Sequence, residues 1–173
     1  MHSVNRRQFL NLSARTFVSL AAGAALLSKP GPARADAAND KIRVGCIGLG
    51  GRGRGHASYF ARHQDTEVVY VCDVDETGRV GRFPNEIERI QKKAPKVVSD
   101  LRRILEDKDV DAVVISTCDH WHALATIWAC QAGKDVYVEK PASNNLWEGR
   151  KMVEAARKYG RIVQVGWQNR SAP

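Results

Sequence analysis

From Lys41 onward, short apolar runs alternate with longer stretches whose apolar positions recur every three or four residues. Ile42-Arg43-Val44-Gly45-Cys46-Ile47 predicts a short buried strand closed by glycines. A helix is expected through His56–His63, followed by a second strand, Val68-Val69-Tyr70-Val71-Cys72. Residues 75–95 are charged and contain Gly78, Gly81 and Pro84, which predicts a loop and then a helix over about Asn85–Lys93. Lys96-Val97-Val98 is a short third strand. Ser99 or Asp100 can cap a helix in which Leu101, Ile104 and Leu105 fall at i, i+3 and i+4.

Ala112-Val113-Val114-Ile115 does not alternate with polar residues, so this fourth strand is expected to be buried on both faces. A helix over about Trp121–Ala132 should stop at Gly133, with Trp128 read as core, and Val136-Tyr137-Val138 forms the fifth strand. Leu146, Gly149, Val153 and Ala156 are predicted to line one face of a further helix ending at Gly160, before a sixth strand, Ile162-Val163-Gln164-Val165. Strands alternating with helices in this way imply an α/β fold with a doubly wound parallel sheet of about six strands, complete by about Gly166.

Composition narrows the class. At 173 residues, with 43% hydrophobic and 27% charged residues, the chain suits one soluble globular domain. Its net charge of +8 suggests an anionic partner, but Arg6, Arg7, Arg15, Lys29 and Arg34 lie in the first 35 residues, which hold no acid. The remainder carries 22 basic against 19 acidic residues, so nucleic-acid binding is not indicated. Cys46, Cys72, Cys118 and Cys130 form no CxxC pair or zinc-finger spacing; neither a metal site nor a disulfide framework is assigned. His120 and His122 lack a third ligand nearby in sequence, and a loop or capping role is preferred for them.

Asn5-Arg6-Arg7-Gln8-Phe9-Leu10 resembles a twin-arginine export signal. The apolar stretch Thr16–Leu27 follows, too short for a membrane span, and then Ala33-Arg34-Ala35, an A-x-A cleavage pattern. Residues 1–35 are therefore expected to direct the protein to the periplasm through the twin-arginine route, with 36–40 a linker and no membrane association once the signal is removed.

Gly48-Leu49-Gly50-Gly51-Arg52-Gly53 satisfies G-x-G-x-x-G directly after a strand, the context of a dinucleotide-binding Rossmann fold. Gly48 would allow the tight turn, Gly50 the approach of a pyrophosphate, and Gly53 close helix packing, with Arg52 a further cofactor contact. Asp73 lies twenty positions after Gly53, where an acid accepts the ribose hydroxyls and repels a 2′-phosphate, so NAD is favoured over NADP. Arg79 and Arg82 lie close enough in sequence to moderate that preference.

Val138-Glu139-Lys140-Pro141 resembles a signature of the glucose–fructose oxidoreductase and inositol dehydrogenase (Gfo/Idh/MocA) family. The stretches Ser116–Ala123 and Gly149–Ser171 are similar to that family's corresponding segments, and the likeness spans residues 41–173. It implies an oxidoreductase in which Lys140 lies beside the nicotinamide ribose and substrate hydroxyl as the catalytic cation. Glu139 would shape the nicotinamide pocket, His122 contact the dinucleotide and Trp121 wall the pocket. Trp167, Gln168 and Arg170 would face the active site. An X-Pro bond is cis at low cost, and the resemblance implies such a turn at Pro141.

The substrate implied is a small carbohydrate-like molecule, and the resemblance allows a homo-oligomer in the full-length form. Family members also carry a second domain that binds substrate and supplies the acid/base group. Residues 41–166 would be the cofactor domain and 167–173 the start of a connection to such a domain, which is absent from these 173 residues. An NAD-dependent glycosidase of the same fold and a non-catalytic NAD-binding fragment are the alternative readings.

Overall fold

A computed structural model describes residues 41–171; the expected signal and linker, 1–40, lie outside the described residues. Six strands build one sheet: β1 (Ile42–Ile47), β2 (Thr66–Cys72), β3 (Lys96–Val98), β4 (Ala112–Ile115), β5 (Asp135–Glu139) and β6 (Val163–Gly166). All pairs are parallel, in the order β3-β2-β1-β4-β5-β6. The helices are α1 (Gly51–Arg62), α2 (Phe83–Gln91), α3 (Arg102–Glu106), α4 (His122–Gln131), α5 (Leu146–Tyr159) and α6 (Gln168–Ser171).

Alternate strand positions feed two cores. Val44 and Cys46 of β1, Val68 and Val71 of β2 and Val114 of β4 pack against Ala57 and Ala61 of α1 and Phe83 and Ile87 of α2. Ile47, Val113, Ile115, Val136 and Val138 face the other way, against α3, α4 and α5 through Ile104, Ala125, Ala129, Met152 and Ala155. β4 is buried on both faces because helices cover both, which is why its sequence lacks alternation. Truncating a fully buried side chain such as Ile87 or Ile104 to alanine would cost about 2–5 kcal/mol.

Several boundaries and faces differ from the sequence expectation. α1 begins at Gly51, five residues before the expected start, because tertiary packing supports a glycine-rich first turn that has no apolar periodicity of its own. Asp75 caps an extra helical turn, Glu76–Val80, by accepting the Gly78 N–H at 2.8 Å, and α2 starts at Phe83. On α5, Met152 and Ala155 are buried, whereas Leu146 is 95% exposed and Val153 is also exposed. Leu146 is the first residue of the helix, and Val153 is one position past the face that meets the sheet. Asn145 caps α5 by accepting the Glu148 N–H at 3.0 Å, and Gly160 ends it at φ +61°.

Candidate dinucleotide site

The strand order reverses between β1 and β4, and the loops leaving their carboxyl ends open a crevice at that switch point. Gly48, at φ +87°, begins the β1–α1 loop; a Cβ there would lie 2.6 Å from the Ser116 carbonyl oxygen beyond β4. A Cβ on Gly53 would overlap the Gly48 carbonyl oxygen, so helix and loop touch backbone to backbone. Gly50 behaves oppositely: a Cβ there would project into open space. α1 has no side-chain cap and no acid in its first turn, leaving its first N–H groups and positive dipole end facing that space. Leu49, Gly50, Arg52, Arg54, Ser116 and Thr117 are among the residues lining this groove, and the Ser116 hydroxyl is buried without a partner. These features fit a pyrophosphate.

Asp73 directly follows β2 and lines the adjoining cleft, about 540 Å³ in volume, while remaining only 5% exposed. Its Oδ2 accepts the Leu49 N–H at 2.7 Å and its Oδ1 the Asp75 N–H at 3.0 Å. The Arg79 guanidinium is 3.9 Å from Oδ2. Asp73 therefore ties the glycine loop to β2, a duty beyond the expected ribose contact. A carboxylate accepts about four hydrogen bonds, so capacity for hydroxyls remains.

Opposite stand Trp121 and Trp128, edge to face with centroids 6.5 Å apart. Trp128 is half-buried on the cleft wall and not in the core. Its spacing of seven from Trp121, two helical turns, was the available signal. Ser99, Asp100, Leu101 and Arg102 also line the cleft, and sequence reasoning missed them because the segment reads as an ordinary helix start. Hydrogen bonds from the Arg102 guanidinium hold the Asp100 carboxyl down at about 2.

The Lys140 turn follows β5, with the Lys140–Pro141 bond cis. His122 is 2% exposed, its Nδ1 2.6 Å from the Pro141 carbonyl oxygen and its Nε2 3.1 Å from that of Thr117. It does not line the cleft and bridges the loops after β4 and β5. Glu139 is the last residue of β5 and is 6% exposed. It points to the α1 side, where its Oε1 lies 2.7 Å from His56 Nε2 and 3.9 Å from Arg52 Nε. Lys140 itself is exposed, and its ammonium forms no ion pair among the described residues. Trp167, Gln168 and Arg170 are exposed beyond β6, and with the Gln168 amide donating to the Gly166 carbonyl its oxygen accepts from Arg52 at 3.2 Å.

A parallel sheet with this order, an uncapped helix behind a glycine loop and an acid at the end of the second strand define a dinucleotide-binding domain. Residues 42–167 match the model of the oxidoreductase family with an NAD-binding Rossmann fold (GFO_IDH_MocA), and the chain belongs to that family and binds NAD. Among its relatives, a glycosyl hydrolase family 109 protein of Shewanella putrefaciens is 30% identical over 91% of this chain and 38% of its own length. An inositol 2-dehydrogenase of Salmonella typhimurium is 31% identical over 75% of this chain and 38% of its own length. The crystal structure of the WlbA dehydrogenase from Bordetella pertussis, in complex with NADH and UDP-GlcNAcA, superposes with a TM-score of 0.66 at 29% identity. That match covers 77% of this chain and 37% of the other. The chain thus spans under two fifths of the length of these relatives.

Proposed function

We propose that the protein removes hydride from a hydroxyl-bearing carbon of a sugar- or polyol-type substrate. NAD, when bound, supplies the hydride acceptor. The observation carrying this reading is the placement of Lys140: an exposed ammonium without an ion pair, on a turn that His122 pins to the loop leaving the switch-point strand. Lys140 would hold the substrate hydroxyl oxygen and stabilise its alkoxide character as hydride leaves, while the hydroxyl proton passes to a base. Gly48, Gly50, Gly53 and Arg52 would seat the pyrophosphate. Asp73 would hold the adenosine ribose and disfavour NADP by repelling its 2′-phosphate, with Arg79 at 3.9 Å softening that preference.

The test is reduced-nicotinamide formation from a panel of cyclitols and sugars. Lys140→Ala should lower turnover by about 10²–10³, the usual cost of removing one electrostatic donor. No reduced nicotinamide from any member, by protein that binds NAD, would overturn the dehydrogenase reading.

A second reading, transient oxidation within a glycosidase, is favoured by the alignments. Residues 41–173 are about three quarters of the chain, so a match over 91% of it must reach into the segment before Lys41, whereas the inositol dehydrogenase match covers 75%. A Shewanella oneidensis relative, 28% identical, is an alpha-N-acetylgalactosaminidase. Cleavage of an aryl α-N-acetylgalactosaminide without net reduced nicotinamide selects this reading.

We propose, from the Arg6-Arg7 pair, the apolar stretch Thr16–Leu27 and the Ala33-Arg34-Ala35 pattern, that residues 1–35 are a twin-arginine signal that sends the protein to the periplasm. Replacing Arg6 and Arg7 by lysine should retain the protein in the cytoplasm; unchanged export would contradict it.

A further inference from the structure

On the α1 side of the sheet, Glu139 gathers groups from three elements. His56 Nε2 lies 2.7 Å from its Oε1, with Arg52 Nε 3.9 Å from the same oxygen. The Lys140 backbone N–H donates to its Oε2 at 3.0 Å. Arg52 and His56 are four residues apart on α1 and so share a helix face. The His56 ring packs edge-on against Tyr137 of β5 at 5.1 Å, and a Cβ on Gly166 of β6 would lie 3.0 Å from Oε1. The carboxylate is 6% exposed and lines neither the cleft nor the groove.

We propose that His56 and Glu139 form a positioning pair that fixes the Lys140 turn against the phosphate-binding helix. The helix whose start cradles the pyrophosphate carries His56; the residue His56 grips directly precedes Lys140 and holds its amide. A dinucleotide seated at Gly50 then presents its nicotinamide at a set distance from the Lys140 ammonium. An error of about 1 Å in such a distance costs about 10²-fold in rate. The inference rests on the reading that Lys140 faces the nicotinamide ribose. Neither His56 nor Glu139 touches the dinucleotide in this arrangement.

The test compares NADH with ADP-ribose, which lacks the nicotinamide, by calorimetry, and records the fluorescence anisotropy of bound NADH. Lys140→Ala sets the reference. It should weaken NADH about tenfold, the worth of one charge-assisted hydrogen bond, and ADP-ribose less than about twofold. His56→Ala and Glu139→Gln should reproduce that selective loss and lower the anisotropy, with the melting temperature shifted equally whether or not ADP-ribose is bound. His56→Gln, which keeps an N–H donor, should recover part of the NADH affinity. Equal losses for both ligands would reduce the pair to scaffolding and overturn the proposal, as would no loss for either. If Lys140→Ala shows no preference between the ligands, the reading of Lys140 fails. If Lys140→Ala discriminates and the His56 and Glu139 variants do not, the positioning pair alone fails.

Discussion

At the β1–β2 end of the crevice, Gly48 and Gly53 sit so close to neighbouring backbone that neither admits a Cβ, and Asp73 commits both oxygens to loop amides. At the β5 end, Lys140 stands exposed on a turn held by His122 and Glu139, with Trp167 exposed beyond β6. The first end is made of backbone shape and free N–H groups, so it recognises what all dinucleotides share. The second is made of one charged side chain and the contacts that aim it, so it can change chemistry while the first stays constant. Relatives that are dehydrogenases and relatives that are glycoside hydrolases both match this chain, as that division of labour expects.

The largest expected effect breaks the first end. Gly53→Ala drives a methyl group into the Gly48 carbonyl, where backbone cannot yield, and should destabilise the fold by at least about 3 kcal/mol in denaturant titrations. NAD binding would be lost with it. A stable Gly53→Ala protein would mean that loop and helix are not in backbone contact.

Asp73→Ala comes next. It leaves the Leu49 and Asp75 amides without their acceptor as well as removing the ribose contact. The expected result is about 2 kcal/mol of lost stability and about 30-fold weaker NAD, with NADP weakened less. Asp73→Asn keeps an acceptor oxygen but no charge, so it should retain most stability while narrowing the preference for NAD. An unaltered preference in Asp73→Asn would remove the electrostatic reading of this residue.

The smallest effect concerns the thiols. Burial pushes Cys46 and Cys72 up to about 12, and it raises Cys130 as well. Only the thiolate reacts, and a group at about 12 is ionised to about one part in ten thousand at pH 8, so raising the pH to 9 gains little. Cys118 is exposed and lines both the cleft and the pyrophosphate groove. A disulfide reagent should therefore titrate one thiol quickly in the folded protein, and NAD should slow that reaction about tenfold. Rapid modification of all four thiols would show that the sheet opens readily; a Cys118 indifferent to NAD would place the cofactor elsewhere.

Much of the sheet was legible because its strands are continuous apolar runs. Ile42–Ile47, Lys96–Val98 and Ala112–Ile115 were read with the bounds observed, and the parallel order followed from alternation with helices. The start of α1 was not legible, since Gly51-Arg52-Gly53-Arg54-Gly55 has neither propensity nor period and is helical only through its packing on Gly48. Residue order also does not reveal which way a strand residue points. Glu139 follows Val138 by one position and so faces the opposite side of the sheet, toward His56. His122 opens α4, and the helix turns its ring inward to two carbonyls, an orientation that residue order does not show. Trp128, read as core from the sequence, shares a cleft face with Trp121, two helical turns away.

Gly50 isolates binding from folding, because a methyl group there meets no protein atom and projects only into the cradle. Titrating NAD calorimetrically into the protein and into Gly50→Ala, with melting curves for each, addresses the cradle directly. One site per chain is expected, weakened at least about tenfold in Gly50→Ala at an unchanged melting temperature. Undiminished affinity in that variant, or no heat of binding in folded wild-type protein, would contradict the account.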